Sequence, residues 1–392
     1  MRSFDVAERR ARLARRHHLA PDHRAPDVAA ASDGVVCLHA TDPATVYLSA
    51  WARVGGLVTG DVDKALYADR TLVKHMGMRR TLFVFRRELF GTVQVAVSDR
   101  VADQERRRLA RAVEKAGLVD DGAAWLREAE AATLAALDRA GEATSTELRA
   151  EVDLLRGSIV YAPHKAYGGE TPVGPRVLTC LSAAGEVVRA SNRGAWTASR
   201  PAWARTSTWL GEHPARPPER QARADLVRRW LHAFGPATVA DLKWWLGVPV
   251  SAVRAALADV GAVEVDLHGE PGIALPDDLT PVDPPPPGAV LLPALDPTTM
   301  GWAGRDWYLG SHRAAVFDRN GNGGTTAWWD GRVVGGWSQA PGGEVVLQLL
   351  EDVGAEARAA LDREAARLTA WLDGVRVTAR FPSPLARSTT GG

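Results

Sequence analysis

Gly141-Glu-Ala-Thr-Ser-Thr-Glu-Leu-Arg149 and Gly235-Pro-Ala-Thr-Val-Ala-Asp-Leu-Lys243 spell one pattern, G-x-A-T-x-x-[DE]-L-[RK], twice in the chain. In each copy a Thr stands three residues before an acid and just ahead of an apolar-periodic stretch. That is a capping-box signal: the hydroxyl satisfies an orphan backbone N–H, and the carboxylate sits at the positive end of the helix. Thr144 and Thr238 are therefore expected to start helices. An amphipathic helix precedes each copy (Trp125 to Ala140 and Ala224 to Phe234), giving helix, turn, helix. Behind the copies, residues 177–199 and 251–269 each read as a third helix, a Gly and a strand pair. This is the winged form of the helix-turn-helix. A weaker echo, Asp42-Pro-Ala-Thr-Val-Tyr-Leu48, marks a possible third unit. Winged helices in tandem point to nucleic acid, although the same module also serves protein contacts.

The rest of the composition fits a folded protein. The chain has 392 residues, 46% hydrophobic and 24% charged, enough for two to four packed units. Its 37 Gly and 24 Pro stay below the ~25–30% of low-complexity chains. Two cysteines, Cys37 and Cys180, cannot build a disulfide framework or a zinc ribbon. The charged N-terminus has no apolar core of a signal peptide, and nowhere do 18 apolar residues run together. A cytoplasmic protein with no membrane contact is expected. The formal charge of +1 argues, taken alone, against a polyanionic partner. Its distribution argues otherwise. Arg70, Lys74, Arg79, Arg80, Arg86 and Arg87 form a run without acid, and Arg189, Arg193, Arg200 and Arg205 another, interleaved with Trp196, Trp203 and Trp209. Between residues 255 and 283 the balance inverts: acids recur and neither Lys nor Arg occurs. Such segregation suggests nucleic-acid contact by the basic part, the alternative being solvated helix faces.

A stiff stretch, Pro281-Val-Asp-Pro-Pro-Pro-Pro-Gly288, marks the clearest boundary. Beyond it GAVLLPAL, AAVFD, TTAWW, GRVVGGW and EVVLQLLEDV read as short strands, followed by a helix from about Gly354 to Leu372. The expected fold is α+β and mainly α: tandem winged helices around a C-shaped DNA cleft, with a C-terminal antiparallel β-rich domain. In residue terms these are a first winged-helix region at 1–118, a second at 119–215, a third at 216–280, and the β-rich domain at 288–385.

Several segments together resemble a known family. Val35-Val-Cys-Leu-His-Ala-Thr-Asp-Pro43, Met78-Arg-Arg-Thr-Leu82, WLHAFGPATVADLKWWLGVP, LLPALDPTTMGWAGR and WWDGRVVGGW look like the AlkZ/YcaQ-type winged-helix DNA glycosylases, in the same order along nearly the whole chain. The resemblance implies three winged helices around a basic concave DNA surface, a β-rich C-terminal unit, and excision of alkylated purines, including bulky adducts of genotoxic natural products. It further implies a catalytic Gln-x-Gln or Gln-x-Asp signature at positions 39 and 41. Here those positions hold His39 and Thr41, a His-Ala-Thr variant. The family's Met-Arg-Gly-Thr-Leu-His becomes Met78-Arg79-Arg80-Thr81-Leu82-Phe83, keeping the leading Arg but losing the Gly and the His.

An N7-alkylpurine is cationic and leaves readily, so the enzyme need mainly stabilise an oxocarbenium-like sugar and position a water. No metal or cofactor is required. His39 can orient or deprotonate water near neutral pH, Thr41 offers a hydroxyl and Asp42 a carboxylate. Structural readings stand beside these: a packed or capping His39, and Asp42 as the cap of a helix with Pro43 at its first position. The expected DNA-contact set is Arg53, Arg79, Arg80, Arg189, Arg193, Arg205 and Arg319, the last on an Asn-Gly turn that could equally be a plain hairpin. The five from Arg79 to Arg205 should line one face, away from residues 255–283. His17, His18 and His23 lack metal-ligand spacing and are expected to meet phosphate or solvent, and Cys37 with His39 lacks an oxyanion hole. The expected partner is double-stranded DNA carrying alkylated bases, bound by a monomer; a DNA-binding protein without catalysis is the alternative.

Overall fold

Both repeated threonines start helices. In the computed structural model, which describes residues 1–161 and 169–388, Thr144 caps Ser145–Glu151 and Thr238 caps Val239–Leu246, each with its box closed in both directions. The glutamate of the first copy accepts from Thr144 N (2.6 Å) and Thr144 Oγ1 from Glu147 N (3.2 Å). The same pair of bonds joins Thr238 and Asp241, at 3.0 and 3.1 Å. The alanine before each Thr repeats too. Ala143 pairs with Trp203 and Ala237 with Ile273, in each case a residue of the last strand of its segment. Two sequences of like pattern therefore fold alike down to the strand contact ahead of the helix.

The chain divides into two compact units. One comprises Val73–Leu82 and Arg87–Ala222; the other Met1–Leu72, Phe83–Arg86 and Arg223–Gly392. In the smaller unit, helices Asp99–Lys115 and Gly122–Ala140 bury Leu109 and Val113 on the first and Leu126, Ala129, Thr133 and Leu137 on the second, spaced by three and four so that each set shares one face. Helix Gly174–Ala183 follows, and Gly185 at φ +76° turns the chain into strand Val187–Asn192, paired antiparallel with Pro201–Arg205. Strand Ala143–Thr144 completes a three-stranded sheet on the outer side of Pro201–Arg205.

The larger unit repeats that order. Helix Glu219–Phe234 runs into it, Val239–Leu246 and Val250–Asp259 follow, Gly261 turns at φ +65°, and Val263–Leu267 pairs with Glu270–Ala274. The echo near residue 42 departs from the repeat. Its helix, Pro43–Trp51, begins three residues earlier than the spelling suggests, with Asp42 as cap and Pro43 in the first turn. Thr45 has Leu48 where a capping box needs an acid, so its hydroxyl turns to Ala294 O instead (2.8 Å). Strand Leu38–His39 precedes this helix and pairs antiparallel with Leu82–Arg86.

Four strands, Ala289–Leu292, Thr326–Trp329, Arg332–Gln339 and Val345–Leu349, form a sequential antiparallel sheet at the C-terminal end, and helix Gly354–Leu372 packs on it. The segment AAVFD expected as a strand is otherwise: Arg313–Val316 is a helical turn, and Phe317 makes only a single bridge to Gly323. The Ala pair favours helix, and the run is too short for its Val and Phe to impose a strand. Residues 281–288 form no regular element, as their prolines require. Among the described residues no helix is long and apolar enough to cross a membrane.

Candidate active site

The residues expected to carry chemistry, His39, Thr41 and Asp42, lie where strand Leu38–His39 gives way to helix Pro43–Trp51. His39 is buried, 6% exposed, and its ring meets the edge of Phe83 at 5.3 Å, its cross-strand partner. Phe83 stands where the resemblance implies a His, and the imidazole of His39 lies directly across the strand pair from it. Thr41 N–H donates to His39 Nδ1 at 3.4 Å. With Nδ1 accepting from the Thr41 N–H, the neutral imidazole carries its proton on Nε2.

Both oxygens of Asp42 are engaged. Oδ1 accepts from Ala44 N (3.2 Å) and caps the helix; Oδ2 accepts from Arg380 N (2.9 Å). The Arg380 guanidinium also donates to Thr41 O (3.3 Å). A segment 338 residues away in sequence thus clamps the turn, and nothing in the local sequence announces it.

From this turn, Thr45, Ser49 and Arg53 follow at intervals of four, on one face of the helix and its extension. All three reach the stretch Ala294 to Thr298. Ser49 Oγ donates to Asp296 Oδ2 (2.6 Å), and Arg53 meets Asp296 bidentately at 2.9 and 2.8 Å. Arg53 and Asp296 are both 0% exposed. Arg53 is therefore removed from the DNA-contact set: its guanidinium is consumed by a buried carboxylate, Ser49 O and Thr298 Oγ1. Burial alone would raise the Asp296 carboxyl, but the Arg53 cation holds it below the usual range. Thr298 Oγ1 also meets His17 Nδ1 (2.8 Å), whose Nε2 contacts Ala233 O (3.1 Å). The carbonyl demands a donor, so Nε2 carries the proton and the Thr298 hydroxyl donates to Nδ1. Burial, with Arg53 nearby, pushes the His17 pKa down to about 3. His17, expected to meet phosphate or solvent, is a neutral member of the core. His18 bonds His23 O and His23 pairs with Asp22; among the described residues no group of three or more His, Cys, Asp or Glu is placed to hold a metal.

Arg79, Arg80, Arg189, Arg193 and Arg205 all belong to the smaller unit, and residues 255–283 to the larger. Their runs lack acids in sequence, yet folding supplies carboxylates. Arg80 pairs with Glu105 (2.7 Å), Arg193 with Glu147 (2.7 Å), and Arg205 with Asp138 (3.3 Å) and Glu186 (3.4 Å). Arg189 lies over the Trp203 ring at 5.2 Å, and Arg79 sits in a turn at φ 54°. Arg319 is exposed on a loop closed by Asp318, which accepts from Asn320 N and Asn322 N.

Comparison with known proteins matches this architecture. A family model described as DNA glycosylase AlkZ-like covers residues 33–371. Among solved structures, that of the DNA glycosylase AlkZ from Streptomyces sahachiroi superposes with a TM-score of 0.70 at 20% identity, over 96% of this chain and 98% of that one. That likeness is one of fold. Curated proteins offer no match to the chain. The family model spans both units and the turn at 39–42, and on that extent the chain belongs to the AlkZ-like family of DNA glycosylases.

Proposed function

We propose that the chain is a monofunctional glycosylase that hydrolyses the N-glycosidic bond of an N7-alkylated purine in double-stranded DNA, in repair or in self-resistance to a genotoxic natural product. It acts as a cytoplasmic monomer, built from three winged helices and a β-rich C-terminal domain. The observation that carries this reading is the family match running through the His39–Asp42 turn, with His39 buried at the head of a capped helix. The C1′–N9 bond breaks with its electrons going to the cationic base, which leaves neutral. Water adds its oxygen to C1′ and releases a proton, leaving an abasic site. The chain's part is to hold that water and shield the cationic sugar. His39 orients water as an Nε2–H donor, the Thr41 hydroxyl assists, and Asp42 keeps the turn rigid through its two backbone bonds. Arg79, Arg80, Arg189, Arg193, Arg205 and Arg319 contact phosphates, Arg193 exchanging the exposed Glu147 carboxylate for a phosphate at small cost.

A duplex carrying an N7-alkylguanine should lose that base on incubation with the protein. His39→Ala should slow release by about 100-fold, on the scale of losing one positioned hydrogen-bond donor at a reacting centre, while His39→Gln, which keeps a donor, should retain more activity. Unchanged release in a folded His39→Ala protein defeats the assigned role. A second reading, a winged-helix DNA-binding protein without catalysis, is favoured by the hydrogen bonds already filling His39 Nδ1 and both Asp42 oxygens. It predicts salt-sensitive DNA affinity and no abasic product.

A further inference from the structure

A cavity of about 160 Å³ lies wholly within the smaller unit. One wall is helix Phe90–Val93 with the π-helical turn Gln94–Ser98 that continues it, a geometry that recurs at functional sites. Gly91 has no Cβ to hold off Ala215 O, so the stretch 213–216 lies directly against this helix and closes the cavity from that side. Two buried polar groups line the space. The Gln94 amide is fixed by donating to Asp99 Oδ1 (2.8 Å) and Ala183 O (2.9 Å), which leaves its Oε1 as an acceptor beside Gly185. A Cβ at Gly185 would come within 2.5 Å of that oxygen; glycine, at φ +76°, keeps it uncovered. An amide oxygen accepts two bonds, so one stays open even with the His75 imidazole beside it. Thr206 Oγ1 is buried and has no hydrogen-bond partner, while Thr206 N–H donates to Glu186 O (3.0 Å). Both groups therefore border the turn Gly185–Glu186, and a buried hydroxyl left unpaired costs stability until a partner satisfies it. The charges at the rim are already matched: Arg216 meets Asp99 (2.6 Å), and Arg205 meets Asp138 (3.3 Å) and Glu186 (3.4 Å). With Phe90, Ala184 and Pro214 supplying carbon, the site favours an uncharged guest. Its volume is close to the ~150 Å³ that takes benzene, room for one six-membered ring and not for two fused ones.

We propose that this cavity binds an uncharged six-membered lactam, a ring whose N–H donates to Gln94 Oε1 and whose adjacent C=O accepts from the Thr206 hydroxyl. The acceptor on one side demands a donor from the guest, and the hydroxyl on the other supplies one in return, so a guest with N–H and C=O on neighbouring ring atoms satisfies both at once. Uracil and thymine carry that edge on a single ring, and a free pyrimidine of this kind is the class of ligand the site takes. A purine, with its second ring, exceeds the space. The inference does not depend on the glycosylase reading, because the turn at 39–42 belongs to the larger unit and none of its residues lines this cavity.

The full-length protein should bind 2-pyridone, the simplest such ring, with a Kd on the order of a millimolar in ligand-observed NMR. N-methyl-2-pyridone, which has lost the N–H, and 2-quinolone, which adds a fused ring, should each bind at least about tenfold more weakly. Uracil should displace 2-pyridone. Ala184→Leu, which fills the cavity, should weaken 2-pyridone at least about tenfold, and Thr206→Val several-fold through loss of its hydrogen bond. Because Thr206→Val removes a hydroxyl that is unpaired without ligand, it should melt no lower than the parent, so weaker binding there does not reflect unfolding. It also carries the test alone should Ala184→Leu fail to fold. Four results overturn the proposal: no binding of 2-pyridone to the parent, equal binding of 2-pyridone and either analogue, equal binding to parent and folded variants, or uracil that leaves 2-pyridone bound.

Discussion

The two capped helix starts share a sequence pattern and a local geometry, yet they carry different weight. Glu147 faces solvent: beyond its cap it meets Arg193, itself half exposed. The backbone and hydroxyl of Thr144, with Arg193, hold its carboxyl down at about 2. Asp241 is 2% exposed, and its second oxygen accepts from Ala303 N (2.8 Å) and Gly304 N (2.9 Å). One cap ends a helix; the other also anchors a segment more than sixty residues on. The contrast extends beyond the caps. Arg193 and Arg205 of the smaller unit meet exposed carboxylates, while the larger unit buries Asp241, the Arg53–Asp296 pair and His17 in its interior. A capping motif read from sequence thus reports where a helix begins, and burial decides what it is worth.

The largest effect should come from Arg53→Ala, which leaves Asp296 charged, buried and without its bidentate partner. A loss of roughly 3–5 kcal/mol is expected by denaturant unfolding, and a loss near zero would show that the buried pair is not what separates the two units. Next, Asp241→Ala should cost about 3 kcal/mol, because the Ala303 and Gly304 N–H groups lose their acceptor inside the protein. If Asp241→Ala were as mild as a surface cap substitution, the contrast between copies would collapse.

Acid should sharpen the comparison further. His17, with a folded pKa of about 3, binds its proton more readily in the unfolded chain, so its contribution is whole above the unfolded value near 6.5 and drains as pH falls toward 3. His75, pushed down to about 4 by burial in the smaller unit, acts in the same direction over a narrower window. Melting temperature should therefore decline below about pH 6.5, and His17→Gln should flatten part of that slope, corresponding to roughly 1 kcal/mol per pH unit. An unaltered slope in His17→Gln would place the acid sensitivity elsewhere. Smallest of all, Glu147→Gln should leave the unfolding midpoint close to the parent's, since its partners are exposed; a large shift would mean that the first cap, too, supports the core.

Much of the fold was legible because it is local. Capping boxes, apolar periods of three and four, the Gly turns after the third helices and the helix at Gly354–Leu372 depend on neighbours within a few residues, and sequence carries that information directly. The echo at Asp42 was legible only in part: Asp-Pro starts the helix, while the similar spelling at Thr45 misleads because its box lacks the acid. Arg53 could not be read. An arginine looks like a phosphate ligand until a distant aspartate claims it, and the carboxylates that pair with Arg80, Arg193 and Arg205, which come from other elements, were equally invisible in the local sequence.

By itself the sequence determined where the capped helices begin, that a helix-turn-helix pattern recurs, and that His39, Thr41 and Asp42 share one turn. Those features rest on backbone capping and side-chain period, which act over short spans. Only the tertiary structure decided that Arg380 clamps that turn, that Arg53 and His17 are interior, and that Gln94 and Thr206 line one cavity. Ion pairs, protonation and cavities are set by which groups meet across long stretches of chain and by how far burial excludes water, and no local pattern encodes either.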